Sequence, residues 1–263
     1  RLTLSIQWSL DDNFQIKSSA IVNSLIKSSY ALNYDQATEI LDMDSNKYFK
    51  TSWPNWLKQN LQWLQQFVIK NNILNKDIFD SHSIIDTLMV LTNKHIGEKL
   101  FCSQNYHSLL RVHSIKDSDK IPEYLTSENI DKSLQDFLKI MNTNSAEYQL
   151  TKNLDVENQQ DKSLYHYGLD IYYYTHFTSP IRRYFDILVH REIKKLIAES
   201  ELTTYEELSI NQEKIDNEEI SQEKINQEKD ILTQLCLHLN NKNCQIKKFE
   251  RDVKKIQVVF DSK

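Results

Sequence analysis

Two adjacent arginines offer the clearest chemistry in this sequence. Arg182 and Arg183 lie within Tyr172 to Arg191, YYYTHFTSPIRRYFDILVHR, directly after Thr178-Ser179-Pro180. Threonine and serine can cap a helix, and proline suits its first position because its fixed φ is helical and its missing N–H is not needed there. The spacing predicts a helix beginning at this point, with Ile181, Tyr184, Phe185, Leu188 and Val189 on one buried face. Cations at that end oppose the helix dipole, so the pattern calls for an anion, and a phosphate would supply it. Asp186, four residues after Arg182 and three after Arg183, can offset only part of that charge. Solvated arginines, or arginines paired to local carboxylates, are the plain alternative.

The elements that must hold this stretch are mostly helical. The 263 residues are 40% apolar and 26% charged, enough for one large core or two small ones, and with only two glycines and three prolines the chain has few turn residues. We therefore expect an α+β fold, mostly helical, with a short antiparallel hairpin or sheet. Leu2, Leu4, Ile6 and Trp8 alternate with polar residues as a half-buried strand does, Asp11-Asp12-Asn13 makes a turn, and Phe14 to Ser18 returns as a second strand. Ser52-Trp53-Pro54 opens an amphipathic helix with Trp53, Leu57, Leu61, Leu64, Phe67 and Val68 inside, and residues 127–143 read as a further, capped helix.

Net charge is −5, but residues 199–230 hold 11 acids against 3 bases, which leaves the rest of the chain at +3. That stretch carries near-repeats of Ile-Asn-Gln-Glu-Lys and reads as an exposed, acidic, low-complexity insert. The Asp11-Asp12 pair sits in a turn and His107 and His113 lack a third ligand at useful spacing, so both read as structural rather than metal-binding. Cys102, Cys236 and Cys244 read as reduced thiols of an intracellular protein. No apolar run is long enough for a membrane span.

Residues 166–191, HYGLDIYYYTHFTSPIRRYFDILVHR, resemble the signature of the RNB family of processive 3′→5′ exoribonucleases, the ribonuclease II and ribonuclease R group. The family pattern H-x-G-L, then Y-x-x-F/W-T-S-P-I-R-R/K-Y-x-D and H-R, is kept at His166, Gly168, Leu169, Tyr174, Phe177, Thr178 to Tyr184, Asp186, His190 and Arg191. Weaker likenesses extend over nearly all of 1–263: the SLIKSSYALNY segment with Tyr34, the helix with Met89 and Asn93, the SLLRVH strand, and the closing ILTQLCLHLNNK helix. The resemblance implies that 1–263 is the C-terminal part of one RNB nuclease domain, incomplete, with 199–230 inserted.

It further implies hydrolysis of RNA to nucleoside 5′-monophosphates, single-stranded RNA as partner, and Mg2+ held by an aspartate loop expected upstream of Arg1. The site residues it implies are Arg182 at the scissile phosphate, Arg183, Thr178 and Ser179 at the helix start, and Tyr34 and Asp86 at the terminal nucleotide. The sequence departs from the family in two places. Asp86-Thr87 stands where a pair of glutamates is usual, and no aromatic clamp is identifiable between Ile73 and His82. These departures suit an alternative, a catalytically inactive RNB-like RNA-binding protein.

Overall fold

The computed structural model describes residues 1–41, 53–74, 80–103, 108–114, 144–151, 162–206 and 218–261. The architecture is α+β as expected, with three two-stranded antiparallel sheets and five helices among the described residues. The chain divides into two compact units, Arg1–Asn93 and Lys94–Lys263, and the division falls inside a helix.

In the first unit β1 (Leu2–Leu10) pairs with β2 (Ile16–Leu25), with Leu2 opposite Leu25 and Trp8 opposite Ser19. The second strand begins later and runs further than its sequence suggests. The turn explains the late start: the Asp11 carboxylate accepts the N–H groups of Asn13 and Gln15 at 2.9 and 2.8 Å, and Phe14 is forced to φ 63°. That carboxylate is occupied in shaping the turn, in keeping with its structural reading. Helix α1 (Tyr34–Leu41) opens with a reciprocal cap, in which Gln36 N–H donates to Asn33 Oδ1 and Asn33 N–H donates to Gln36 Oε1.

Helix α2 (Asn55–Lys70) starts after Pro54, so Trp53 precedes it instead of lying on its face. It buries Leu57, Phe67 and Val68. The core of this unit is Phe67, Val68, Ile84 and Leu91, flanked by Trp8, Leu10 and Leu64. Fully burying an aromatic or branched aliphatic side chain contributes about 1.5–3 kcal/mol, so this cluster is what holds the hairpin to the helices.

Helix α3 (Ser81–Cys102) carries the division between units. In the second unit β3 (Ser108–Val112) pairs with β4 (Glu147–Thr151), and both Leu109 and Leu110 are fully buried. A small hairpin, β5 (Tyr165–His166) and β6 (Ile171–Tyr172), follows. Two long helices close the chain, α4 (Tyr184–Glu206) and α5 (Glu218–Asp261). Lys195 of α4 donates to Glu192 on its own helix and to Glu228 on α5, joining the pair. Burial works against that ammonium, but its hydrogen bonds to Glu228 and Glu192 outweigh it and raise its pKa. Asn240 of α5 clamps β4: its Nδ2 donates to the Tyr148 carbonyl at 2.9 Å and its Oδ1 accepts the Tyr148 N–H at 2.8 Å. The helix expected over 127–143, residues 207–217 of the 199–230 insert, His107 and residues 75–79 of the expected clamp region lie outside the described residues.

Candidate functional site

The helix that carries the arginine pair starts at Tyr184, not at Pro180. Arg182 and Arg183 therefore stand in a turn before it, where both their N–H groups donate to the Ser179 carbonyl at 3.2 and 3.1 Å. This corrects the expected apolar face: Ile181 is 98% exposed and Tyr184 45% exposed, while Phe185, Leu188 and Val189 are buried. Asp186 is the cause. Its carboxylate is fully buried in the first turn of α4 and accepts the Ser179 N–H at 2.7 Å. It also accepts both arms of the Arg183 fork, Nε and Nη2, at 2.8 Å each. Three charge-assisted hydrogen bonds to one carboxylate fix the turn and fold it outward.

The two arginines are thus not equivalent. Arg183, with 19% of its side chain exposed, is spent on Asp186. Arg182 is exposed, reaches only the Ser179 hydroxyl at 3.4 Å, and has no ion pair among the described residues. Its guanidinium is available to an anion from solvent.

The segment leading to this turn is held by close contacts. The Arg111 N–H donates to the Tyr174 carbonyl at 2.7 Å, and the Thr175 hydroxyl donates to the Leu109 carbonyl at 2.6 Å, laying the segment along β3. Gly97 of α3 approaches the same segment so closely that a Cβ there would stand 1.7 Å from the Tyr173 carbonyl oxygen. Gly168 donates its N–H to His113 Nδ1 at 3.0 Å, and a Cβ at Gly168 would come within 2.8 Å of that nitrogen. His113 Nδ1 is thereby occupied in holding the Gly168 backbone. Burial lowers its pKa against a backbone hydrogen bond at Asn144 that works the other way.

Behind the turn lies a group of rings that the sequence did not single out. The Tyr148 ring stacks on Phe185 with centroids 3.8 Å apart, and the Arg111 guanidinium lies 4.9 Å from the Tyr148 centroid. The Tyr148 hydroxyl is 3.0 Å from His176 Nδ1. Burial, then the charges of Arg183 and Arg111, push His176 down to about 2, so its imidazole is neutral. Burial also raises the Tyr148 pKa, so the phenol stays protonated and donates to the ring nitrogen. His166 is pushed down to about 3 by burial and by the charge of His113. His190 Nε2 lies 2.9 Å from the Phe177 carbonyl, which can only accept, so that nitrogen carries the proton. Arg111 was legible as part of a matched motif; His176 falls at a variable position of the signature, and Tyr148 carried no signal at all.

Tyr34 and Asp86 belong to the first unit. Tyr34 is 46% exposed at the start of α1 and stacks on His82, with ring centroids 3.7 Å apart and 17° between planes. Ser81 fixes this arrangement by donating to the Tyr34 carbonyl at 2.9 Å. His82 was not predicted. Asp86, one turn along α3 from His82, is half-buried. Thr87 is fully buried, and its hydroxyl has no hydrogen-bond partner among the described residues. Thr178, Ser179, Arg182 and Arg183 belong to the second unit.

Among the described residues no group of three or more His, Cys, Asp or Glu side chains is placed to hold a metal ion. The resemblance places the ligands of its Mg2+ on a loop upstream of Arg1 and assigns none to the residues described here. Cys102 and Cys244 are exposed, and Cys236 is buried with its thiol pushed up to about 11. No described helix is long and apolar enough to cross a membrane.

Comparison with known proteins agrees with the signature. The chain is 26% identical over 251 residues to the mouse exosome complex exonuclease RRP44, an alignment covering 80% of the chain and 26% of that protein. It is 24% identical over 265 residues to the inactive exonuclease DIS3L2 of Arabidopsis thaliana, covering 77% of the chain and 25% of that protein. The chain thus spans about a quarter of the length of these relatives. Its fold matches Mycoplasma genitalium RNase R, solved in complex with ribose-methylated single-stranded RNA, with a TM-score of 0.65 and 19% identity over 96% of the chain and 43% of that structure. The RNB domain model matches residues 1–199, and the chain belongs to the RNB family.

Proposed function

We propose that this chain is the C-terminal part of the nuclease domain of a processive 3′→5′ exoribonuclease that hydrolyses single-stranded RNA to nucleoside 5′-monophosphates. The observation that carries the reading is the division of labour at the turn. Asp186 consumes Arg183 and leaves Arg182 exposed and without an ion pair among the described residues, inside the family's signature. Arg182 neutralises the scissile phosphate, where negative charge builds as the bond to the leaving oxygen breaks. Arg183, Thr178 and Ser179 hold the turn that aims it. Tyr34 offers a ring face for a base, which suits recognition without sequence preference, and Asp86 accepts from a terminal ribose hydroxyl. Mg2+, held by the aspartate loop that the resemblance implies, would supply the activated water.

A second reading, an inactive RNA-binding protein, is favoured by Asp86-Thr87 in place of two glutamates and by the fully buried Thr87, which has no carboxylate to offer. A relative of similar identity is itself named an inactive exonuclease. The full-length protein, incubated with 3′-tailed RNA and Mg2+, separates the two. Stepwise release of nucleoside 5′-monophosphates, abolished in Arg182→Ala, supports the nuclease; retardation of RNA on a gel with no product supports the binder.

A further inference from the structure

Helix α5 carries a basic face that the signature does not use. Asn240 is clamped to the Tyr148 backbone, so the side of α5 that bears it is turned toward the β3–β4 hairpin. Lys247, Arg251 and Lys254 lie seven, eleven and fourteen residues on, about two, three and four helical turns, and so share that side. They line a cleft of roughly 630 Å3 whose opposite wall includes Asn144, Ser145 and Gln149. None of the three cations has an ion pair among the described residues, although Glu147 and Glu250 also line the cleft. Arg251 Nε donates only to the Lys247 carbonyl, at 3.3 Å.

We propose that this cleft binds the phosphate backbone of an RNA strand, as a secondary track separate from the turn that presents Arg182. The inference rests on the RNA reading given above. The three side chains are staggered along about 10 Å of helix, which suits successive phosphates of one strand better than a single bound ion. The lining contains no aromatic ring, and its apolar side chains are only Val112 and Ala146. A peptide groove would need pockets for alternate side chains, and a base-reading site would need stacking faces; this cleft has neither. Amides and cations facing one another grip a backbone and leave its bases to solvent, so binding here is indifferent to sequence.

Cys244 reports on occupancy directly, because it is exposed and lines the cleft, while exposed Cys102 serves as an internal reference. In the full-length protein, a 25-nucleotide oligo(U) slows alkylation of Cys244 severalfold, read by mass spectrometry, and leaves Cys102 unchanged. The charge-reversed variant Lys247→Glu/Arg251→Glu/Lys254→Glu loses that protection. At a slope of about 0.7 per phosphate contact on a single strand, it also lowers the slope of log affinity against log salt by about 2. Its affinity for a 5-nucleotide RNA is unchanged, and so is its melting temperature. Unaltered affinity and salt slope for the longer RNA, or no protection of Cys244, overturns the proposal while leaving the proposed function standing. Protection by a polyglutamate peptide but not by RNA overturns it in favour of an acidic protein partner. Failure of the wild-type protein to bind either RNA overturns both.

Discussion

Substituting the two arginines one at a time should separate holding the turn from meeting a ligand. Arg183→Ala leaves the Asp186 carboxylate, fully buried, with only the Ser179 N–H of the three hydrogen bonds described above. Removing one member of a buried ion pair typically costs about 3–5 kcal/mol, and the complete burial of Asp186 places this variant within that range. Asp186→Ala should cost somewhat less, about 2–4 kcal/mol, because Arg183 keeps 19% of its side chain exposed and can turn to solvent. The double variant should cost less than the sum, with a coupling of about 2–3 kcal/mol. Arg182→Ala, at an exposed site, should change stability by about 0.5 kcal/mol or less. For a chain of this size each kcal/mol moves the melting temperature by about 2–4 °C, so thermal unfolding followed by circular dichroism resolves these differences. RNA cleavage or binding measured on the same proteins should show Arg182→Ala as folded but defective. Equal stability losses in the two single arginine variants would refute the division of roles between them.

Four further outcomes follow from the same geometry. Gly97→Ala should destabilise by about 3 kcal/mol or more, since its Cβ would lie 1.7 Å from a backbone oxygen that cannot swing aside; urea unfolding reads it. Asn240→Ala should cost about 2–3 kcal/mol by the same measurement, because both backbone groups of Tyr148 lose their partner. Histidines 166 and 176, pushed down to about 3 and about 2, stay neutral in the folded chain and take up protons near 6.5 once unfolded. Their stabilisation is therefore complete above about pH 6.5 and lost as pH falls below it, by about 1.4 kcal/mol per pH unit for each; His176→Asn should flatten an unfolding-against-pH curve in that window. Alkylation at neutral pH should modify Cys102 and Cys244 and spare Cys236, which is buried with its thiol pushed up to about 11.

Much of this was legible in the sequence, and the misses have local causes. Period-two alternation over Leu2–Trp8 gave a hairpin where one occurs, because it depends on short-range pattern alone, whereas the helix around Met89 and Asn93 was legible through the family resemblance. The start of α4 was placed four residues early for a different reason. Pro180 is a proper first residue for a helix, but Asp186 reaches back to Ser179 and Arg183 and stabilises a turn there instead. Competition between a carboxylate and the backbone leaves no trace in hydrophobic periodicity. The stacking of Tyr148 on Phe185 and its hydrogen bond to His176 join positions 28 or more residues apart, beyond what spacing can show. His82 was overlooked beside Tyr34 because nothing in a helix pattern marks an exposed histidine as a stacking partner.

The chain has only two glycines: at Gly97 a side chain would collide with the segment leading to the arginine turn, and at Gly168 it would collide with the His113 ring. Elsewhere, left-handed backbone is assigned to Phe14, Asp170 and Tyr173. Aspartate tolerates that backbone: Asp170 is exposed, so Asp170→Gly should change stability by about 0.5 kcal/mol or less, the strain it relieves being offset by the freer unfolded chain.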